Sequence, residues 1–246
     1  MHNFFVSDAG RDGEYYRITG ADFNHIVHVL RMRQGERFYV SCDGMSFLCE
    51  LDSIGEDAVR ARILEAAGRS TELPVHICLF QGLPKSDKME WIIQKAVELG
   101  AAEIVPVEMS RCIVRLEEKK KAARRERWQS IAESAAKQSK RSRIPTVGEV
   151  LTFPQALERG RNMDVFLVPY ENEEGMAATK RALAGIRPGS TVGILIGPEG
   201  GFDEQEAAAA AQAGGSLISL GSRILRTETA AITAVGMCML YAETEL

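Results

Sequence analysis

The chain contains no CxxC pair and no cysteine–histidine cluster, although five cysteines (Cys42, Cys49, Cys78, Cys112 and Cys238) are scattered along it. That scatter argues against a disulfide framework and against a zinc site, so no metal is expected and a reducing cytoplasm is the simplest compartment. Long apolar runs are missing too. The longest helix-like one, Ala230 to Ala242, is too short to span a bilayer, and no membrane association is expected. The opening residues, MHNFFVSDAGRDGEYY, carry Asp8, Asp12 and Glu14 without a long apolar core, which predicts no signal peptide. Internal repeats and low-complexity tracts are absent. So are GxGxxG and GxxxxGK[ST], which removes the dinucleotide and P-loop readings.

What is present is an ordinary globular composition, 45% hydrophobic and 26% charged, over 246 residues. That length suffices for one large domain or two modest ones. The net charge of −4 argues mildly against a nucleic-acid partner. Its distribution argues the other way. Between Glu117 and Arg143 ten basic residues stand against four acidic ones, so that segment is +6 and the remainder −10. A charge-separated chain of this kind can hold a polyanion on one face. A solvated helix laced with ion pairs is the plainer alternative.

The pattern along the chain changes once. Before residue 70, Arg37–Cys42, Met45–Ile54 and Ala58–Leu64 alternate with period two and are separated by turn residues, while Phe23, Ile26, Val27 and Leu30 share a helical face. This predicts a small barrel or sandwich with one helix. Ala67-Gly68-Arg69-Ser70-Thr71 reads as a linker. After Pro74, strand-like runs (Val75–Phe80, Ile104–Val107, Asp164–Val168, Val192–Ile196, Leu217–Leu220) alternate with helical stretches, the pattern of an α/β domain with a mostly parallel sheet. Asp87 with Glu90 resembles a capping box, and Asp203 with Glu206 starts a later helix.

Two glycine-marked turns stand out. Residues 195–201 read LIGPEGG and residues 217–231 read LISLGSRILRTETAA. An apolar strand that enters a glycine turn and leaves as a helix is the general form of a nucleotide-like site. Gly197, Gly200, Gly201 and Gly221 permit positive φ and close approach of a ligand to the main chain. Together with DKMEWIIQKAVELG, SRCIVR and AAKQSKRSRIP, these turns resemble the ribosomal RNA small subunit methyltransferase E family of the SPOUT superfamily. The likeness runs in order through the C-terminal part, and HIVHVLRMRQGE resembles that family's PUA-like RNA-binding barrel.

The resemblance implies an α/β protein with a PUA-like β-barrel in residues 1–72 and a SPOUT domain with a trefoil knot in residues 73–246. It also implies a homodimer, S-adenosylmethionine as methyl donor, and N3 of a uridine in the decoding region of 16S ribosomal RNA as acceptor. The substrate would be the assembled or nearly assembled small ribosomal subunit. The cofactor is expected in three loops: at Pro169; at Ile196, Gly197, Glu199, Gly200 and Gly201; and at Leu220, Gly221, Ser222, Ile224 and Leu225.

Uridine N3 is a weak acid, so its proton must leave and the anion must be held. Arg226 is the first choice for holding it, since a guanidinium stays charged and is a poor base. Glu228 is the nearest candidate base and Glu199 the second, although a charge at a helix start explains Glu228 equally well. Arg31, Arg33, Arg111, Arg115, Lys137, Gln138, Arg141 and Arg143 are candidate RNA contacts. Lys88 and Lys95 read as solvated. Two rivals stay open: a non-catalytic RNA-binding protein, and a metabolic enzyme acting on a small nucleotide.

Overall fold

A computed structural model describes residues 1–66, 70–173 and 175–246, so Ala67, Gly68 and Arg69 of the expected linker lie outside the described residues. Two compact units emerge. One comprises Met1–Glu72 with Ala136–Ile144, the other Leu73–Ala135 with Pro145–Leu246. The segment Ala136–Ile144, which the sequence division assigns to the second part, thus groups with the first unit.

The first unit is built on a six-stranded sheet. Its strands are β1 (Asn3–Phe5), β2 (Arg11–Asp12), β3 (Tyr15–Thr19), β4 (Arg37–Cys42), β5 (Met45–Ile54) and β6 (Ala58–Ala66), in the order β1-β4-β5-β6-β3-β2. Period-two alternation places Phe38, Val40, Phe47, Cys49, Leu51, Val59 and Ala61 in one core with Phe4, Tyr16 and Ile18. Asp43 and Gly44, with φ of 48° and 82°, make the two-residue hairpin between β4 and β5. Helix α1 (Gly20–Asn24) continues into a π-helical turn at His25–Val29, burying Phe23 and Ile26 against the sheet core. The expected barrel does not close. No pairing among the described residues joins β1 to β2, and β2 is a two-residue strand exposed along its length, so the sheet is a curled half-barrel.

The second unit has a parallel sheet. Strands β7 (His76–Gly82), β8 (Glu103–Glu108), β9 (Thr146–Val147), β10 (Leu151–Thr152), β11 (Val165–Pro169), β12 (Thr191–Ile196) and β13 (Ser216–Ile218) follow the order β10-β8-β7-β12-β11-β13, with β9 beside β8. Every ladder in it is parallel. Its strands are near-continuous apolar runs, as a sheet covered on both faces requires, and Ile77, Leu79, Ile104, Val105, Ile194 and Leu195 are fully buried. The helices are α2 (Lys88–Glu98), α3 (Glu118–Gln138, whose last residues join the first unit), α4 (Phe153–Arg161), α5 (Ala177–Leu183), α6 (Glu204–Gln212) and α7 (Thr227–Glu245).

Two caps behave differently. At α6 the Asp203 carboxylate accepts from the Glu206 N–H at 2.7 Å and Glu206 reaches back to the Asp203 N–H, a complete capping box. At α2 the expected box is not made. Asp87 has ψ of 8° rather than the extended backbone that a capping side chain needs, and Glu90 turns instead to Arg127 Nε at 2.7 Å.

Candidate functional site

Loops that leave the carboxyl ends of a parallel sheet are where ligands bind in open α/β folds. Here the register puts Ile196 beside Gln81 and Pro169 beside Ile218, so the ends of β7, β11, β12 and β13 lie together. Above them is a cavity of about 880 Å³, within the range of small-molecule sites. Its walls are the three loops expected from sequence. Pro169 lines it from the first; Ile196, Gly197, Glu199 and Gly201 from the second; Leu220, Gly221, Ser222, Ile224 and Leu225 from the third. Gly200 does not line the cavity. It packs on Arg111, whose Cβ would stand 3.0 Å from any Cβ added there.

Buried hydrogen bonds hold the loops. The Thr227 hydroxyl at the start of α7 donates to the Gly197 carbonyl at 2.7 Å and accepts from Gln81 Nε2 at 2.9 Å. Gln81 is fully buried, so this chain ties the end of β7 to the second loop and to the helix after the third. Thr179 Oγ1 of α5 donates to the Ser219 carbonyl at 2.7 Å, fixing the start of the third loop. Gly82 lies so close beneath the second loop that an added Cβ would meet Pro198 N at 2.7 Å. Gly201 and Gly221 have φ of 67° and 109°, where a side chain would strain the backbone. The SRC segment braces the same loop: Arg111 Nη1 donates to the Gly200 carbonyl at 2.9 Å, and Ser110 binds Asp203 and Glu206 of the α6 cap.

Charge is arranged around one lysine. Lys88 Nζ, on the cavity wall, stands 3.1 Å from Glu199 Oε1 and 3.1 Å from Glu228 Oε2. Burial pushes the Glu199 carboxyl up, but the Lys85 N–H at 3.0 Å and the Lys88 ammonium outweigh it and hold it below its ordinary value. The bond to Glu199, opposed by desolvation and aided by Glu228, raises Lys88. Glu228 sits in the first turn of α7 behind the wall. The Arg226 guanidinium lines the cavity and has no hydrogen-bond or ion-pair partner among the described residues, which leaves all its donors available to a ligand.

The expected RNA-contact residues fall into two kinds. Arg31, Arg33, Arg115, Gln138 and Arg143 are exposed. Arg111 is exposed as well but already bonded to the second loop. Lys137 pairs with Asp22 at 2.7 Å. Arg141 is 4% exposed, with its guanidinium on the Glu72 carboxylate, which also accepts from the Ser142 and Arg143 N–H groups at 2.9 and 3.1 Å. Arg141 therefore ties Ala136–Ile144 to Glu72 within the first unit. Sequence reasoning missed Gln81, Gly82, Thr227 and the pairing of Lys88. Gln81 carried a signal: a glutamine in an otherwise apolar buried strand needs a partner.

Comparison with known proteins agrees with this geometry. The family model for an RNA methyltransferase domain matches residues 71–239, and that for an RNA methyltransferase PUA domain matches residues 18–64. The chain is 41% identical over 232 residues to a ribosomal RNA small subunit methyltransferase E from Bacillus subtilis, covering 93% of this chain and 91% of that protein. A namesake from Mycobacterium bovis is 33% identical, with 95% and 89% covered. The crystal structure of a ribosomal RNA small subunit methyltransferase E from Neisseria gonorrhoeae, bound to S-adenosyl methionine, superposes with a TM-score of 0.84 at 32% identity, over 98% of this chain and 97% of that one.

Proposed function

The chain belongs to the ribosomal RNA small subunit methyltransferase E family, and from that premise we propose that it transfers a methyl group from S-adenosylmethionine to N3 of a uridine in the decoding region of 16S ribosomal RNA. The observation that carries the proposal is the cavity walled by three loops from the ends of β11, β12 and β13. Its lining fits the donor. Ile196, Leu220, Ile224 and Leu225 offer apolar faces to a flat purine, and Gly197 and Gly201 leave the main chain open to a ribose and its methionine arm. Glu171, Glu173 and Glu199 line the same space and suit a cationic ligand. When bound, S-adenosylmethionine supplies an electrophilic methyl group on a positively charged sulfur.

The protein's own work is alignment and electrostatics. Arg226, unpaired on the wall, is assigned to the developing uridine anion or its adjacent phosphate. Glu228 and Glu199 are the carboxylates at the edge of the same site, each ion-paired with Lys88. Arg31, Arg33, Arg115 and Arg143 are assigned to phosphate contacts, with the half-barrel placing the RNA. The proposal includes action in the cytoplasm on an assembled or nearly assembled small subunit. It also includes a knotted second domain and a homodimer, the last supported by Leu240 of α7, which is 58% exposed on an otherwise apolar helix.

The test is methylation of small subunits that lack the modification, with intact subunits compared to naked RNA. Label is expected on one uridine, as 3-methyluridine after digestion to nucleosides, and more strongly with subunits. Label on no uridine, or label only on free nucleotides, overturns the reading.

A further inference from the structure

Lys88 is a cation that touches two of the elements around the cavity. Its Nζ stands 3.1 Å from Glu199 on the second loop and 3.1 Å from Glu228 in the first turn of α7, while its own helix, α2, packs along α7. The three side chains are 15–29% exposed, so solvent screens these pairs less than it would on an open surface. Glu199 is held from a second side by the Lys85 N–H at 3.0 Å. One Glu228 carboxylate oxygen is buried with no hydrogen bond, so the Lys88 charge is what compensates it. The remaining charged groups of the neighbourhood are Asp87, preceding α2, and Arg223, Arg226, Glu171 and Glu173, which line the cavity.

We propose that Lys88 is a positioning residue of this site: its ammonium clamps the second loop to the start of α7 at the cavity's edge. The inference rests on the function proposed above and deepens it. A carboxylate whose charge is stabilised by a shared ammonium has low proton affinity, the opposite of what a general base near neutrality needs. Glu199, held below the ordinary carboxylate value, is then a poor proton acceptor.

Three variants test this: Lys88→Met, Lys88→Arg and Glu228→Gln. In Lys88→Met the Glu199 carboxyl loses the cation that helps hold it down, so the acid limb of the kcat profile moves to higher pH by about one unit. Binding of S-adenosylmethionine, measured calorimetrically without RNA, weakens about tenfold, the scale of losing a charge-assisted bond. The loss of melting temperature in the ligand-free variant is full above the ordinary carboxylate pKa and shrinks as pH falls through the lowered value of Glu199. Lys88→Arg restores the limb and the affinity, and Glu228→Gln weakens S-adenosylmethionine binding in the same direction as Lys88→Met because it removes one arm of the clamp. An unshifted limb with unchanged affinity in folded Lys88→Met overturns the clamp. A wild-type rate in Lys88→Met, or loss of kcat confined to Glu228→Gln with a lost pH limb, does so as well. Failure of the wild type to label any RNA would instead sink the function, leaving the binding and melting readouts to judge Lys88 alone.

Discussion

Replacing Thr227 by valine keeps the side-chain shape and removes the hydroxyl that ties the second loop to α7. That hydroxyl donates to the Gly197 carbonyl at 2.7 Å and accepts from Gln81 Nε2 at 2.9 Å, with Gln81 fully buried and Thr227 5% exposed. The variant strands one buried carbonyl and one buried amide N–H. Each such group costs about 1–3 kcal/mol, and partial relaxation toward other partners keeps the sum near 2–3 kcal/mol. Urea unfolding followed by circular dichroism should show that loss as a lower midpoint with an unchanged slope. Gly197 is on the cavity wall, so roughly half the loss should also appear in ligand affinity, where about 1.4 kcal/mol is a tenfold weaker Kd for S-adenosylmethionine. A control separates the tether from a general packing defect. Gln81→Leu with Thr227→Val removes donor and acceptor together, so the double variant should be more stable than the sum of the singles predicts, by about 1 kcal/mol. Thr227→Val with the wild-type urea midpoint and wild-type affinity would refute the reasoning.

Arg226→Ala should lower single-turnover methyl transfer about 100-fold while S-adenosylmethionine affinity stays within a few-fold, and Arg226→Lys should recover little because an ammonium lacks the planar fork; full activity in Arg226→Ala removes it from the mechanism. Gly82→Ala would place a Cβ 2.7 Å from Pro198 N and 2.9 Å from Met109 Sδ, so it should destabilise by about 1–3 kcal/mol and weaken ligand binding by displacing the second loop; a thermal melt and a titration that both match wild type would show the contact to be slack. Burial pushes the Glu72 carboxyl up, but Arg141 and the Ser142 and Arg143 N–H groups hold it below its ordinary value. Its stabilisation is therefore present above the ordinary carboxylate pKa and lost as pH falls through the lowered one. Glu72→Gln should cost roughly 3 kcal/mol at neutral pH, because buried Arg141 loses the Glu72 charge. The gap between variant and wild type should close in acid, and a gap that stays constant across a pH series of denaturation curves would rule out the linkage.

The cavity was legible because its makers are glycines in fixed relation to apolar strands. A strand run ending at Ile196 and a turn built from Gly197, Gly200 and Gly201 specify where backbone must curve, and backbone geometry follows from local sequence. Strands β4 and β5 were equally plain, with Asp43-Gly44 between two period-two runs. The supports under the loops were not legible. Gln81 and Thr227 are 146 residues apart, and nothing in either neighbourhood names the other. The half-barrel reads as a barrel for the same reason: alternation says which face is inside but not whether the first and last strands are long enough to meet. At Asp87 and Glu90 the capping pattern was present in sequence, yet a partner 37 residues away, Arg127, took the glutamate.

Charge shows the same division between type and partner. The basic segment from Glu117 to Arg143 invites two readings, a polyanion-binding face or a helix laced with ion pairs, and counting charges cannot choose. The structure supplies ion pairs of the second reading. Of the ten basic residues, Lys120, Lys121, Arg125, Arg127, Lys137 and Arg141 sit in ion pairs. These pairs are not equivalent. Arg125 and Arg127 keep side chains 49% and 61% exposed, and exposed pairs are weak enough to be exchanged for phosphate oxygens. Arg141, at 4% exposure, cannot leave Glu72 without stranding a buried carboxylate. The formal +6 of the segment therefore overstates the charge free to meet RNA, and part of the overstatement lies at its C-terminal end, where the sequence alone looked most like a phosphate-binding loop. Lys88 presents the converse case. One lysine on an amphipathic helix looked solvated because its neighbours in sequence gave it no partner, and it acquires its role from two carboxylates that the fold delivers from residues 199 and 228. A residue's charge can be read from the chain, but what that charge is for depends on what the fold brings within about 3–4 Å of it.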